Sequence, residues 1–246
     1  MYSGLYGAAT AMDAAAQRHE VAAENLANLQ MTGFRRRVLP QNSFESMLGE
    51  EGLLDGDRTY SGSLGTSAGK LQYDFTQGNI KQTSRPLDLA IHGDAFFSVD
   101  GPNGPLYTRN GAFYVNAERQ LVTVDGLRVN GGGGPIQLPN TANTESLHVS
   151  TDGRIWAGAN EIGRLDLVRF NAPKLLEAAG ASLFAAPPEA GVTEATAEVR
   201  QGFLEQSNVS SMSEMVSIIA ASRHYDAAVK ALTEIAESAQ RRIGIR

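Results

Sequence analysis

The residues best suited to hold a metal are His19, His92, His148 and His224, and their spacing does not suit them to it. A zinc-like site needs three or four converging ligands. These four are scattered along the chain, and there is no cysteine to join them. Asp88 and Asp94 are close enough in sequence to suggest paired carboxylates for hydrolysis. Both stand at the ends of predicted strands, where aspartate commonly makes turn hydrogen bonds. The glycine run 131–134 lacks the Gly-Lys-Ser/Thr ending of a phosphate loop, and Pro135 follows it, so no helix begins there to hold an anion. No catalytic residue, metal or cofactor is expected.

What remains is polar chemistry on apolar stripes. Asn25 and Asn28 lie near the end of a predicted N-terminal helix, and Asn208 lies shortly before a C-terminal one. Asn28 reads as a helix-end cap. Asn25 has two readings: a cap, or a hydrogen bond between subunits that fixes register, as a buried asparagine does in coiled coils. The basic run 35–37 reads as a solvated surface, or as a contact with acidic groups on a neighbour.

Two long helices must position these groups. Over 212–243, alternating steps of three and four residues pick out Met215, Ile218, Ser222, Tyr225, Val229, Leu232, Ala236, Ala239 and Ile243. Neither proline nor glycine interrupts them. Ser210 or Ser211 can cap the start, and Arg241 and Arg242 suit the negative end of the helix dipole. The same steps near the N-terminus give Leu5, Ala8, Met12, Ala15, His19, Ala22, Leu26 and Leu29. The two seams are expected to pair as a coiled coil. Both are rich in alanine, and a buried Leu contributes only ~2 kcal/mol. Ordering costs ~1–2 kcal/mol per residue. The pair is therefore expected to become fully ordered by packing with neighbouring copies.

Between the helices the pattern changes to β. Leu87, Leu89 and Ile91 alternate, and Phe96, Phe97 and Val99 supply a second strand. Asn110-Gly111 and Asp125-Gly126 predict two-residue hairpin turns with both central residues at positive φ. The expected fold is α+β, with a mainly antiparallel β domain over 71–170. It is flanked by an N-terminal helix at 1–33, ended by Gly33, and a C-terminal segment and helix at 199–246. Connectors are expected at 34–70, with a short helix near Phe44, Met47 and Leu48, and at 171–198.

Composition narrows the function classes. A chain of 246 residues with 42% hydrophobic and 20% charged residues is globular in character. A net charge of -6 argues against a general nucleic-acid binder. The first helix carries Gln17, Arg18, His19, Glu20 and Glu24, so it lacks the apolar core of a cleaved signal. No run approaches the ~18 apolar residues of a membrane span, and no membrane insertion is expected.

Three groups of motifs together resemble the flagellar rod and hook family of bacterial axial proteins. Near the N-terminus these are Asn25, Leu26, Ala27 and Asn28, then Thr32, Gly33, Phe34 and Arg35. The middle holds Gln77-Gly78-Asn79, then Arg85, Pro86, Leu87 and Asp88, the pair Phe96-Phe97, and Tyr107, Thr108, Arg109, Asn110 and Gly111. Before the last helix stand Glu205, Gln206, Ser207, Asn208 and Val209. Ala95, Glu24 and the pair Gln30-Met31 depart from the usual pattern. Within the family the chain is most like proximal-rod members, with distal-rod members the close alternative.

The resemblance implies a structural role. It implies unfolded export through the flagellar type III apparatus without signal cleavage. It also implies polymerisation, with copies of itself and neighbouring rod proteins, into a torque-transmitting tube across the periplasm. The assembly contacts would come from Leu5, Met12, His19, Leu26, Leu29, Met215, Ile218, Tyr225, Val229, Leu232 and Ile243. A different reading, a surface- or carbohydrate-binding β module on a helical stalk, would need clustered exposed aromatics, and the only tryptophan is Trp156.

Overall fold

A computed structural model describes residues 2–43, 66–139 and 147–243. The expected helix near Phe44, Met47 and Leu48 lies outside the described residues. The chain divides into two compact units. The first contains residues 1–27, 37–73 and 210–246, and the second contains 28–36 and 74–209.

In the first unit, α1 spans Tyr2–Ala27 and α2 spans Ser211–Ile243. Gly4 approaches Ile235 at one end of the pair, and Asn25 bonds to Glu214 at the other, so the helices run antiparallel. Their buried positions are Ala14, Ala15, Ala22 and Asn25 on α1, and Glu214, Ala221 and Ala228 on α2. This differs from the expected seams mainly by one residue in one of two rows, with Ala14 buried beside the kept row of α1. The row through Ala15 and Ala22 is kept, but Leu5 and His19 are exposed; on α2, Met215 and Ser222 give way to Glu214 and Ala221. Moving one row by one residue turns the centre of the stripe by about 50°, half of an α-helical step. The reason is size. A periodicity count favours the largest apolar side chains, whereas two helices approach closest where the side chains are smallest. Short antiparallel ladders, Arg37–Val38 with Gln72–Tyr73 and Gln41–Ser43 with Thr66–Ala68, also belong to this unit.

The second unit is antiparallel β. Phe96–Gly101 lies at its centre and pairs with Gly104–Thr108, Arg128–Gly131 and Leu167–Phe170. Neighbouring strand residues point to opposite faces. Phe97 joins Leu89, Ile91, Val99, Phe113 and Val129 in the main core, while Phe96 packs edge-on against Phe75, Phe170 and Phe184. Both faces of the central strand are thus covered, which explains the paired phenylalanines.

Three expectations need correction. The stretch 171–198 is not only connector: Leu183–Ala185 pairs with Gly104–Thr108, and Val192–Glu194 pairs with Leu167–Phe170. Likewise Glu198–Gln201 pairs with Leu89–His92 and Phe203–Glu205 with Ile80–Gln82, so 198–205 belongs to the β unit. These strands are short and their partners distant in sequence, so no local alternation marks them. Asn110-Gly111 makes no hairpin. Gly111 passes the Leu89 carbonyl so closely that a Cβ would stand 1.6 Å from its oxygen. At Asp125-Gly126 only the glycine has positive φ, in a three-residue loop closed by Thr123 and Leu127. Lastly, α1 ends at Ala27, not beside Gly33. Gly33 serves a different contact: its φ is 69°, and a Cβ there would lie 2.4 Å from the Asn110 nitrogen.

Gly111→Ala should therefore lower the free energy of unfolding by about 1–3 kcal/mol or more, as overpacking does. Urea unfolding checks this, with Gly132→Ala as the comparison. That glycine has open space around it, so the cost there should be limited to its positive φ.

Candidate functional site

The motifs scattered along the sequence converge on one buried carboxylate in the β unit. Glu205 closes the strand Phe203–Glu205 and is fully buried. Its Oε1 accepts hydrogen bonds from Arg35 Nη2 at 2.7 Å and from the Gly78 N–H at 2.8 Å. Its Oε2 accepts one from Arg109 Nη1 at 3.3 Å, and its main-chain carbonyl accepts the Gly33 N–H at 2.8 Å. Arg35 Nη1 also donates to the Thr76 carbonyl, and the Arg109 guanidinium stacks 4.8 Å above the Phe96 ring. Gly78 cannot carry a side chain, since a Cβ would fall 2.0 Å from the Gln206 carbonyl oxygen.

Two cations thus share one anion out of water. Burial, and then repulsion from Arg35, bring the Arg109 guanidinium down to about 10, against the opposing pull of Glu205 and Asp94. Arg109 therefore stays charged at neutral pH in both folded and unfolded chains. Its folded value is depressed, so its contribution to stability rises with pH only above about 10, as the buried guanidinium begins to lose its proton.

Asn208 ties three segments of the same unit. Its Oδ1 accepts the Arg36 N–H at 2.7 Å, and its Nδ2 donates to the Asp74 and Thr76 carbonyls. Ser207 Oγ accepts the Val209 N–H, Thr108 Oγ1 donates to the Ser182 carbonyl, and Asp88 holds Arg85 at 2.8 Å. Phe34, Phe97, Tyr107 and Val209 are buried, and Leu87 packs against the main core.

In the helical unit Asn25 is satisfied within its own chain. It exchanges two hydrogen bonds with the Arg37 backbone and donates to Glu214 Oε2 at 3.2 Å. Arg37 pairs with Glu24. Asn28 follows α1, with its carbonyl accepting the Met31 N–H.

Among the described residues, no group of three or more His, Cys, Asp or Glu could hold a metal ion, and no helix is long and apolar enough to cross a membrane. All four histidines are exposed. A groove of about 520 Å³ lies beside Gly132, Arg164, Asp166 and Glu194, but Asp166 is already bonded to the Gly132 N–H. Among the described residues the exposed large aromatics are Tyr6, Tyr114 and Tyr225, too far apart in the chain to form a stacking platform by local sequence.

The comparisons agree with these motifs. Residues 90–157 match the model described as the flagellar hook protein FlgE/F/G D1 domain, and residues 200–244 match the flagellar basal body rod FlgEFG protein C-terminal model. The flagellar basal-body rod protein FlgF of Rhizobium meliloti is 34% identical over 92% of this chain and 90% of its own. FlgF of Escherichia coli K12 is 33% identical, and FlgG of Borreliella burgdorferi 31%, each over 94% of both chains. The chain belongs to the flagellar basal-body rod family. FlgF and FlgG relatives match it about equally well, so family membership does not choose between them.

In the sequence of this rod-family chain Arg35 belongs both to a motif and to the basic run 35–37, and Gly78 and Glu214 stand only as motif residues, with no buried contact expected for any of the three. Glu214 does leave a trace: it stands seven residues before Ala221 and fourteen before Ala228, in the row that becomes buried. Arg35 leaves none, because its partner lies at the far end of the chain. The solvated reading of 35–37 fails for Arg35, which is 1% exposed.

Removing the carboxylate leaves two buried guanidinium groups without a counter-charge. Glu205→Ala is therefore expected to cost about 3–5 kcal/mol. Glu205→Met combined with Arg35→Met and Arg109→Met should recover much of that loss. Denaturant unfolding of the three chains measures both.

Proposed function

We propose that this protein is a structural component of the flagellar basal-body rod that polymerises through its two terminal helices. It carries out no reaction, and its work is packing. The supporting observation is the face of α2 that its own chain leaves uncovered. Met212, Met215, Val216 and Ile219 are 76%, 52%, 60% and 54% exposed. Their spacing makes one continuous stripe on the helix. Leu5 and Tyr6 of α1 are likewise exposed. Covering such residues contributes roughly 1.5–3 kcal/mol each, which adds to the little that helices pairing mostly through alanine gain from each other.

The helices have two jobs on two faces. Small residues close the intrachain pair, as a short coiled coil, and the large residues of the rows through Met215 and Leu5 meet neighbouring copies or neighbouring rod proteins. Met12, Leu26, Leu29, Ile218, Val229 and Leu232, half-buried within the chain, would complete those contacts. So would His19 and Tyr225, which are exposed. The side chain of Ile243 lies outside the described residues. Asn25 and Glu214 set the intrachain register. Export through the flagellar type III apparatus without a cleaved signal belongs to the same reading.

Met215→Glu with Ile219→Glu should abolish rod assembly and swimming, while urea unfolding of the monomer shifts by no more than about 0.5 kcal/mol, as exposed substitutions do. Assembly at the normal yield would remove this face from the interface. In dilute monomer, hydrogen exchange should be fast over 2–27 and 211–243 and slow over 89–170; slow exchange in the helices would favour a self-sufficient stalk.

A further inference from the structure

Three Asn-Gly steps occur in the chain, at Asn103, Asn110 and Asn130. Asparagine before glycine is the chemically least durable amide in a protein, because the following nitrogen carries no neighbouring side chain to block its approach. The structure places the three in different surroundings. Asn110 accepts the Ala112 N–H through Oδ1 at 3.1 Å, and Gly111 is pressed against the Leu89 carbonyl. Asn130 is inside the strand Arg128–Gly131, its Nδ2 3.4 Å from Ser98 Oγ, and Gly131 is wedged against Arg164 and Ile136. Asn103 is exposed in the two-residue turn between Gly101 and Gly104, the last pair of its ladder. Around Gly104 there is open space, with φ at 130°.

We infer that, of the three Asn-Gly steps, Asn103 is the one that undergoes spontaneous covalent modification in the folded protein: deamidation through a cyclic imide to aspartate and isoaspartate. The main-chain nitrogen of Gly104 attacks Asn103 Cγ, so that an N–Cγ bond forms. The Cγ–Nδ2 bond breaks, and ammonia leaves with the proton from the Gly104 nitrogen. Water then adds to one of the two imide carbonyls and opens the ring, and no oxidant or reductant takes part. Opening at the main-chain carbonyl gives isoaspartate, which puts an extra methylene in the backbone where Gly101 must face Gly104. Opening at the other carbonyl gives aspartate, and both products add one negative charge at the hairpin tip.

The inference is independent of the assembly reading. The pairing of Gly104 with Gly101 opposes the attack, but a pair at the end of a ladder opens with little disturbance of the rest. At Asn110 and Asn130 the attack needs packed backbone to move.

The test is peptide mapping by mass spectrometry of the full chain held in mildly alkaline buffer, folded and in urea. In the folded protein, conversion at Asn103 should exceed that at Asn110 and Asn130 by about tenfold or more, reflecting the difference between local and larger opening. In urea the three rates should converge. Equal folded rates, or faster conversion at either packed site, would overturn the inference. So would a rate difference that persists unchanged in urea, since sequence and not structure would then be its cause.

Discussion

A carboxylate shared by two guanidinium groups out of contact with water constrains the β unit more than any other interaction. Glu205 receives charge from Arg35 and Arg109 and backbone N–H from Gly78, while its own carbonyl takes the Gly33 N–H. Such a cluster is not a strong source of net stability, because desolvation consumes most of the attraction. It is a strong source of specificity, because any arrangement that loses the carboxylate strands two charges. The four segments that meet there, around residues 33–35, 78, 109 and 205, each need one particular neighbour. Glycine at 33 and 78 follows from the same constraint, since backbone must approach backbone where the ions are enclosed.

The helical unit solves a different problem by sorting residues by size. Ala15, Ala22, Ala221 and Ala228 are buried within the chain, and Met212, Met215, Val216 and Ile219 are left outside. A pair closed by alanine buries little apolar area, so it gains little from pairing alone. The larger side chains hold most of the available hydrophobic free energy, and a single chain does not use it. A helix pair built this way is suited to completion by other molecules. Asn25 and Glu214 add direction, because an amide and a carboxylate that must meet fix which turn of one helix faces which turn of the other.

Much of the fold was legible in the sequence. The two helices, their approximate limits and the antiparallel β character followed from periodicity, and the alternation around Leu89, Ile91, Phe97 and Val99 marked the core. Less legible were the strands Leu183–Ala185, Val192–Glu194 and Glu198–Gln201, too short to show a period. Asn110-Gly111 has the sequence of a hairpin turn, but its glycine answers a close contact with Leu89. Both cases share a cause: the partner that gives the residue its role is far away along the chain.

The sequence by itself determined the class of element, the absence of any thiol chemistry, and the motif positions that identify the family, because these depend on residue type and local spacing alone. Only the tertiary structure decided which row of each helix is buried, that Arg35 is enclosed and not solvated, and that Glu205 is where the motifs meet. Local spacing fixes a helix and the width of its apolar stripe. Which part of that stripe is covered depends on how closely two backbones can approach, and the fate of a charge depends on whether an opposite charge from a distant segment arrives to share its burial.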